Sequence, residues 1–308
     1  MKSVKIGRLI KDTLVIKDVK SFIVFSPFTG KITRIDKFPE PKSALYDKLC
    51  SVGFFKEAPL TTVKDNRWNG FSTLTLLTTR RCNLSCVYCS SSAVPNSADM
   101  PISPLDNIEK IIYYLRELGV KKIHLEPLFP YGRLYQNISF GRKNNQLIYP
   151  PESKEFSIKF LEALDVAKKC GIEIRNSHLI NFRKGNGYFC GAASARAMVV
   201  THDGFLTGCL EVVDIKDPDA NTFILGKYST ENHDFEINHD MISTMQKRHA
   251  DYLIQCKDCY ARYNCAGGCA IKAVRATNDF FEKDVSYCNF TKALIPYLVK
   301  RIANASGV

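Results

Sequence analysis

The segment 81–90, RCNLSCVYCS, places three cysteines within eight residues: Cys82, Cys86 and Cys89. Their spacing is C-x3-C-x2-C, so at most two of these thiols could pair with each other in a disulfide. An apolar, β-branched stretch, STLTLLTT (72–79), leads directly into the segment and predicts a strand. The three cysteines are therefore expected on the loop that follows a strand.

The length and composition of the chain are those of a globular protein. Its 308 residues have room for two or three domains, and its 45% hydrophobic and 24% charged residues are ordinary values. No apolar stretch reaches the roughly 18 residues that predict a transmembrane helix. The basic start, MKSVKIGRLIKDTLVIKD (1–18), lacks the continuous apolar core of a signal peptide. We therefore expect a cytoplasmic protein without a membrane partner.

The formal net charge of +12 is compatible with several kinds of partner. A nucleic acid, an anionic membrane, an acidic peptide or simply a solvated basic surface would each fit a charge of this sign. The sequence contains no run of five or six basic residues, so we expect no nucleic-acid partner.

Twelve cysteines occur in the chain, and most of them are clustered. Disulfide frameworks belong mainly to short secreted chains, so clustered cysteines in this chain are expected to bind metal or to act in catalysis. Cys50 and Cys170 stand apart on predicted helices, where a packing role is expected. Three closely spaced thiolates can hold three irons of a [4Fe–4S] cluster and leave the fourth iron open. Zinc is the alternative, although a zinc site usually offers two C-x2-C pairs or histidines, and no histidine lies near Cys82.

Hydrophobic periodicity predicts an α/β protein. In the first 70 residues, TLVIKD (13–18), SFIVFSP (21–27) and KITRID (31–36) predict strands, and KSALYDKLCSVG (42–53) predicts a helix that stops at Gly53. Helices at about 104–118 and 153–169 alternate with strands in KKIHLEP (121–127) and GIEIRNS (171–177), which is a parallel layout. Further on, ARAMVVTHDGFLTGCLEV (195–212) predicts a hairpin that turns at Asp203-Gly204, and helices follow at about 239–253 and 289–303.

The first cysteine segment resembles the radical S-adenosylmethionine (radical SAM) superfamily. The C-x3-C-x2-C spacing, the aromatic Tyr88 before the last cysteine, and the strand–loop–helix context carry the resemblance. It implies that Cys82, Cys86 and Cys89 hold a [4Fe–4S] cluster whose open iron binds S-adenosyl-L-methionine, with Tyr88 packing near the adenine. Reductive cleavage of that cofactor would give a radical that abstracts hydrogen from the substrate.

The C-terminal cysteines resemble the SPASM extension of peptide-modifying radical SAM enzymes. The array is Cys190, Gly204 and Cys209, then Cys256-x2-Cys259-x5-Cys265-x3-Cys269, then Cys288. The resemblance implies two auxiliary [4Fe–4S] clusters, one on Cys190, Cys209 and Cys269 and the other on Cys256, Cys259, Cys265 and Cys288. The first of these would have only three protein thiolates. A zinc-binding module is the alternative.

The radical SAM core is expected to be shortened. About 100 residues separate Cys89 from Cys190, which is room for roughly three βα units and less than a full barrel. The family's Gly-Gly-Glu-Pro motif is absent, but Glu126-Pro127 stands at about its expected distance, so Glu126 is a candidate cofactor-binding residue. The same segment also resembles the late barrel strand that precedes the SPASM extension, which would mean that central βα units are deleted. No residue is assigned as catalytic.

Three domains are expected: a small α+β module at 1–70, the shortened core at 71–185 and the SPASM domain at 186–308. The module weakly resembles the leader-peptide-binding domain of such maturases, and a barrel-capping extension is equally compatible with it. We expect an enzyme that modifies a precursor peptide or protein and takes electrons from a reductant such as ferredoxin or flavodoxin. The alternative is a degenerate iron–sulfur protein that retains its clusters but lacks a complete cofactor pocket.

Overall fold

The computed structural model describes residues 8–57, 73–76, 107–127, 151–177 and 185–305. Within these ranges the protein is a mixed α/β structure, which agrees with the fold class expected from the sequence. The helices are α1 (Ala44–Ser51), α2 (Ile108–Glu117), α3 (Ser153–Cys170), α4 (Ala220–Phe223), α5 (His239–Gln246), α6 (Arg262–Cys265), α7 (Ala270–Thr277) and α8 (Val285–Ala305), with a 3-10 turn at Ile254–Cys256. The strands are β1 (Arg8–Ile10), β2 (Thr13–Lys17), β3 (Phe22–Ser26), β4 (Lys31–Ile35), β5 (Thr73–Leu76), β6 (Lys122–His124), β7 (Glu173–Arg175), β8 (Ala197–Val200), β9 (Phe205–Thr207), β10 (Ile224–Ser229) and β11 (Asp234–Ile237).

The N-terminal sheet is antiparallel, in the order β1-β2-β3-β4. Strands β2, β3 and β4 are the three that the sequence predicts, and β1 precedes them. Helix α1 begins at Ser43, whose hydroxyl accepts the N–H of Tyr46 at 3.2 Å. It ends before Gly53, which has a φ of 103° as the predicted stop requires.

The inner strands β2 and β3 are buried on both faces, and successive side chains of each strand point to opposite sides. Leu14 of β2 and Phe25 of β3 belong to the main hydrophobic cluster of the protein. On the other face, Val15 and Val24 pack with Leu49 of α1 in a separate cluster. Cys50 packs against that second cluster, in the structural role expected for it.

Strands β6 and β7 form a parallel pair that is connected through helix α3. Lys122 pairs with Glu173 and His124 with Arg175, so this part of the chain is the βαβ unit that the alternating pattern predicts. Helix α3 starts as predicted and ends at Gly171, which has a φ of 67°. Helix α2 is observed from Ile108, whereas the predicted start of that helix, before residue 107, lies outside the described residues.

A second sheet has the order β11-β10-β9-β8-β5. Strands β8 and β9 are the predicted hairpin, and Gly204 adopts a φ of 82° at its turn. Strand β5, which precedes the first cysteine segment, pairs in parallel with β8. Strand β5 therefore ends at the same end of the sheet as the turn between β8 and β9.

The largest hydrophobic cluster is assembled around α8. Phe290 and Leu294 of α8 pack there with Phe156 and Phe160 of α3 and with the inner face of the N-terminal sheet. Cys265 belongs to the same cluster. Residues from all three expected domains thus contribute to one core, and the domain boundaries stay a prediction.

Two further observations complete the fold. The predicted helix at 239–253 is wrong in its second half, because α5 ends at Gln246 and residues 247–253 form turns. Across the described ranges, no helix combines the length and apolarity needed to cross a bilayer.

Candidate metal centre

The predicted cysteine ligands divide into those that the structure describes and those that it does not. Cys82, Cys86, Tyr88 and Cys89 lie outside the described residues, so the cofactor-binding cluster stays a prediction. The seven C-terminal cysteines all lie within them: Cys190, Cys209, Cys256, Cys259, Cys265, Cys269 and Cys288.

Four of these cysteines form one group, which we call the four-thiol group: Cys256, Cys259, Cys265 and Cys288. Three are carried by helical turns, since Cys256 ends the 3-10 turn, Cys265 ends α6 and Cys288 lies in the first turn of α8. Cys259 lies three residues after Cys256, and its N–H donates to the carbonyl of Cys256 at 3.1 Å. Three of the side chains are buried and Cys259 is half-buried.

Electrostatics show that the four thiols are neighbours. Burial, with added contributions from the charges of Cys259 and Cys288, raises the pKa of Cys256 to about 11. Burial also raises the pKa of Cys265, with added contributions from Cys288, Cys256 and Cys259. Each thiolate therefore disfavours the others as long as no cation is present.

The remaining three cysteines, Cys190, Cys209 and Cys269, form the three-thiol group. Cys190 lies ahead of β8 and Cys209 follows β9, so the hairpin brings both to the same end of the sheet. Cys269 stands immediately before α7. Burial raises the pKa of Cys209, and the charges of Cys269 and Cys190 add to this. Burial likewise raises the pKa of Cys269 to about 12, with a smaller contribution from Cys190.

The thiols of both groups could bind a positively charged metal or cluster. Buried thiols with raised pKa values are poor anions, and a metal would supply the positive charge that lets them ionise. Among the described residues, no three His, Cys, Asp or Glu side chains converge on a site for one ion. A cluster is bound differently, because its thiolates are distributed around several irons instead of meeting at one atom. Cysteine thiolates are ligands for iron–sulfur clusters and for zinc alike, so the type of donor is compatible with either.

A linker of three residues joins the two groups, since Cys265 belongs to one and Cys269 to the other. Its residues Ala266, Gly267 and Gly268 all have positive φ, at 46°, 77° and 73°. A Cβ on Gly267 would lie 2.4 Å from Leu253, and one on Gly268 would lie 2.8 Å from Asp284. The left-handed backbone and the close side-chain contacts at residues 267 and 268 thus favour glycine at both positions. The Gly-Gly pair in the sequence could have predicted this linker, but it was missed.

Sequence reasoning also missed Asp284. Its backbone N–H donates to the carbonyl of Gly267 at 2.8 Å, and its carboxylate accepts the N–H of Tyr287 at 3.1 Å. One residue therefore fixes the linker and caps the helix that carries Cys288. The spacing of Asp284, four residues before a cysteine at a helix start, would have indicated such a cap.

Glu126 lies where the carboxyl ends of β6 and β7 meet. Its carboxylate accepts hydrogen bonds from the backbone of Ser177 at 2.5 Å, from the amide of Asn176 at 3.2 Å and from the ring of His124 at 3.0 Å. A carboxylate has about four acceptor positions, so most of its capacity is used within the protein. Glu126 ties the two strand ends together and retains little capacity for a cofactor amine.

The βαβ unit and the four-thiol group meet at Tyr287. Burial raises the pKa of Tyr287, and the charges of Cys265 and Glu126 raise it as well. Tyr287 directly precedes Cys288 in the chain. The end of the strand pair that carries Glu126 therefore faces the four-thiol group.

A surface cleft gives access to the four-thiol group from another side. Its volume is about 490 Å³, and Cys259 is part of its wall together with the start of α3 and one side of α8. Lys154 and Lys292 line it, as do Glu152 and Asp258. The charges of the lining balance, so the cleft does not itself indicate the sign of a partner.

No protein-family model and no curated protein sequence matches this chain. The family assignment therefore rests on the residues themselves.

Proposed function

We propose that this protein is a radical SAM enzyme that modifies a peptide or protein and carries two auxiliary [4Fe–4S] clusters in its C-terminal part. One observation supports the proposal: the charges of the seven C-terminal cysteines, spread from 190 to 288, act on one another's pKa values within a set of three and a set of four. This is the division that the resemblance to the SPASM extension implies.

The residues of the chain have distinct expected roles. Cys82, Cys86 and Cys89 provide three thiolates and leave one coordination place for S-adenosyl-L-methionine. The chemistry expected there is reductive cleavage of that cofactor to methionine and a radical that takes hydrogen from the substrate. Tyr88 contributes an aromatic surface for the adenine. Glu126 lies at the C-terminal edge of the strand pair, and because three of its acceptor positions are already used it could offer a cofactor amine only the remaining one.

The N-terminal sheet is the proposed contact for the precursor peptide. Its inner strands β2 and β3 are buried on both faces, so a peptide would have to add as a strand at an edge of the sheet. The sheet is tied to the end of α8 by Arg34, which donates to Asn304 at 2.8 Å, and by Lys300, which pairs with Asp18 at 3.1 Å. A bound peptide would thus be held against the same helix that carries Cys288.

A second candidate is a degenerate iron–sulfur protein, and one observation favours it. Within the described residues, β5 pairs with β8, whereas β6 and β7 form a two-stranded sheet of their own. A family barrel would place such strands side by side in one parallel sheet. The clusters could therefore be retained around an incomplete cofactor pocket.

Iron content and cofactor cleavage together distinguish the candidates. Anaerobically reconstituted protein should bind about twelve irons per chain if three full clusters form. The reduced enzyme should then produce 5′-deoxyadenosine, and Cys82→Ala should abolish it. If the wild type, with its full iron content, produced no more 5′-deoxyadenosine than Cys82→Ala, the enzyme would be excluded and the degenerate protein would remain.

A further inference from the structure

Arg248 is a buried positive charge without a carboxylate partner in the described part of the chain. Its side chain is completely buried, at 0% exposure. All five of its N–H donors bind backbone carbonyls: Phe280 at 2.6 Å, Glu282 at 2.7 Å, Gly268 at 3.2 Å, Gly267 at 3.3 Å and Ala266 at 3.4 Å. By contrast, the other buried arginine of this region, Arg262, pairs with Asp12 at 3.0 Å.

These carbonyls belong to the two segments that position the cysteines. Ala266, Gly267 and Gly268 are the whole linker between Cys265 and Cys269. Phe280 and Glu282 lie on the segment that leads into α8 and Cys288. The consecutive left-handed residues of the linker turn its three carbonyls toward the same guanidinium. Arg248 therefore holds both segments at once.

A buried charge is stable only if its surroundings compensate for the loss of water. The carbonyl dipoles solvate the guanidinium, but they do not neutralise it. Burial lowers the pKa of Arg248, whereas negative charge on Cys269, Cys265, Cys190 and Cys256 raises it. These four cysteines come from both groups, so negative charge on the sulfurs of either group would act on this cation.

We propose that Arg248 is a positioning residue that lies between the three-thiol and four-thiol groups and supplies the fixed positive charge that balances their anionic sulfur once both are loaded. This rests on the proposed iron–sulfur function. Adding an electron to a loaded site adds negative charge, and a nearby cation in a poorly solvated interior favours that state. Arg248 therefore raises the reduction potential of the auxiliary sites.

The test compares Arg248→Lys with Arg248→Gln. Both variants lose the five-donor fork, but only the lysine keeps the charge. They are made in a chain whose Cys82, Cys86 and Cys89 are replaced by alanine, so that only the C-terminal sites contribute. Midpoint potentials are measured by redox titration followed by electron paramagnetic resonance, and iron is counted in the same samples.

Arg248→Gln is expected to lower the reduction equilibrium constant about tenfold, a shift of 59 mV to more negative potential for one electron. The midpoint potential of Arg248→Lys should differ from that of the parent protein by only a small fraction of that shift. Arg116→Gln is the control, because Arg116 is an exposed residue in the last turn of α2. It should leave the potential unchanged.

An unshifted potential in Arg248→Gln would overturn the inference, and so would an equal shift in both variants. If the glutamine variant fails to fold, a tenfold change in Arg248→Lys alone is sufficient to overturn it. If the parent protein binds iron but the midpoint potential of Arg248→Gln is unshifted, only this inference is removed. A parent without iron would remove the proposed function as well.

Discussion

Arg262 donates to the carboxylate of Asp12 at 3.0 Å and so joins the cysteine-rich segment to the turn between β1 and β2. Both side chains are largely buried, at 9% and 14% exposure. The same guanidinium donates to the hydroxyl of Tyr263 at 2.8 Å, and that hydroxyl donates to Asp251 at 2.6 Å. The N-terminal sheet is thus attached to the four-thiol region by a buried polar network.

Asp12→Asn should destabilise the protein by about 3 kcal/mol, because it leaves the charge of Arg262 buried without its carboxylate. Asparagine suits the positive φ of 52° at this position, so backbone strain should not contribute. Urea unfolding would measure the loss. Asp165→Asn, which breaks the exposed pair with Arg301, is the control and should cost less than about 1 kcal/mol. Equal losses in the two variants would show that the buried network is not important.

Gly267→Ala should be more destabilising than Gly119→Ala, although both glycines have a φ of 77°. A Cβ at residue 119 meets nothing within 4 Å, so that variant bears only the backbone strain of about 1 kcal/mol. A Cβ at residue 267 would also collide with Leu253. We expect a total loss of about 3 kcal/mol there, measured by thermal unfolding. Similar melting temperatures would mean that the linker can rearrange.

The ion pairs of Asp18 should make stability depend on acid pH. Hydrogen bonds with Arg34 and Lys300 hold the pKa of Asp18 below its usual value of 3.8. This contribution is therefore present above the unfolded-state pKa and is lost as the pH falls through the lower folded-state value. Asp18→Asn should lose less stability than the wild type between pH 6 and pH 2.5, compared by urea midpoints.

Asp36→Asn is the matched control for that experiment, because Asp36 is exposed near the end of β4. Its acid dependence should equal that of the wild type. If Asp18→Asn also follows the wild type, Asp18 is not responsible for the acid sensitivity.

Cysteine substitutions should separate ligands from packing residues. Cys288→Ala removes a thiol of the four-thiol group and should lower the iron content by about four per chain. Cys50→Ala should leave the iron content unchanged, because Cys50 packs beside α1. The measurement is iron per chain after anaerobic reconstitution. Unchanged iron in Cys288→Ala would remove Cys288 from the proposed ligands.

Local structure was predictable from the sequence where it depends on neighbours along the chain. Strands β2 to β4, the hairpin at Asp203-Gly204 and helix α3 all follow from alternation, turn residues and helix periodicity. Strand β1 and the β10–β11 hairpin were missed. Strands β1 and β11 have only three and four residues, and β10 contains Gly226, so each run was too short or too interrupted to predict a strand.

Long-range relationships were not predictable in this way. The parallel pairing of β5 with β8 joins Thr73 to Ala197, and no residue pattern marks such a pairing. Arg248 was missed for a related reason, because all its partners are backbone carbonyls, which any residue provides. The grouping of the cysteines was inferred from the resemblance and not from periodicity.

The most direct test of the central claim is the metal content of a chain that carries Cys82→Ala, Cys86→Ala and Cys89→Ala. Only the seven C-terminal cysteines can then hold clusters. After anaerobic reconstitution, we predict about eight irons and eight sulfides per chain, with the broad visible absorption of [4Fe–4S] clusters. Colourless protein that contains zinc and no iron would contradict the account.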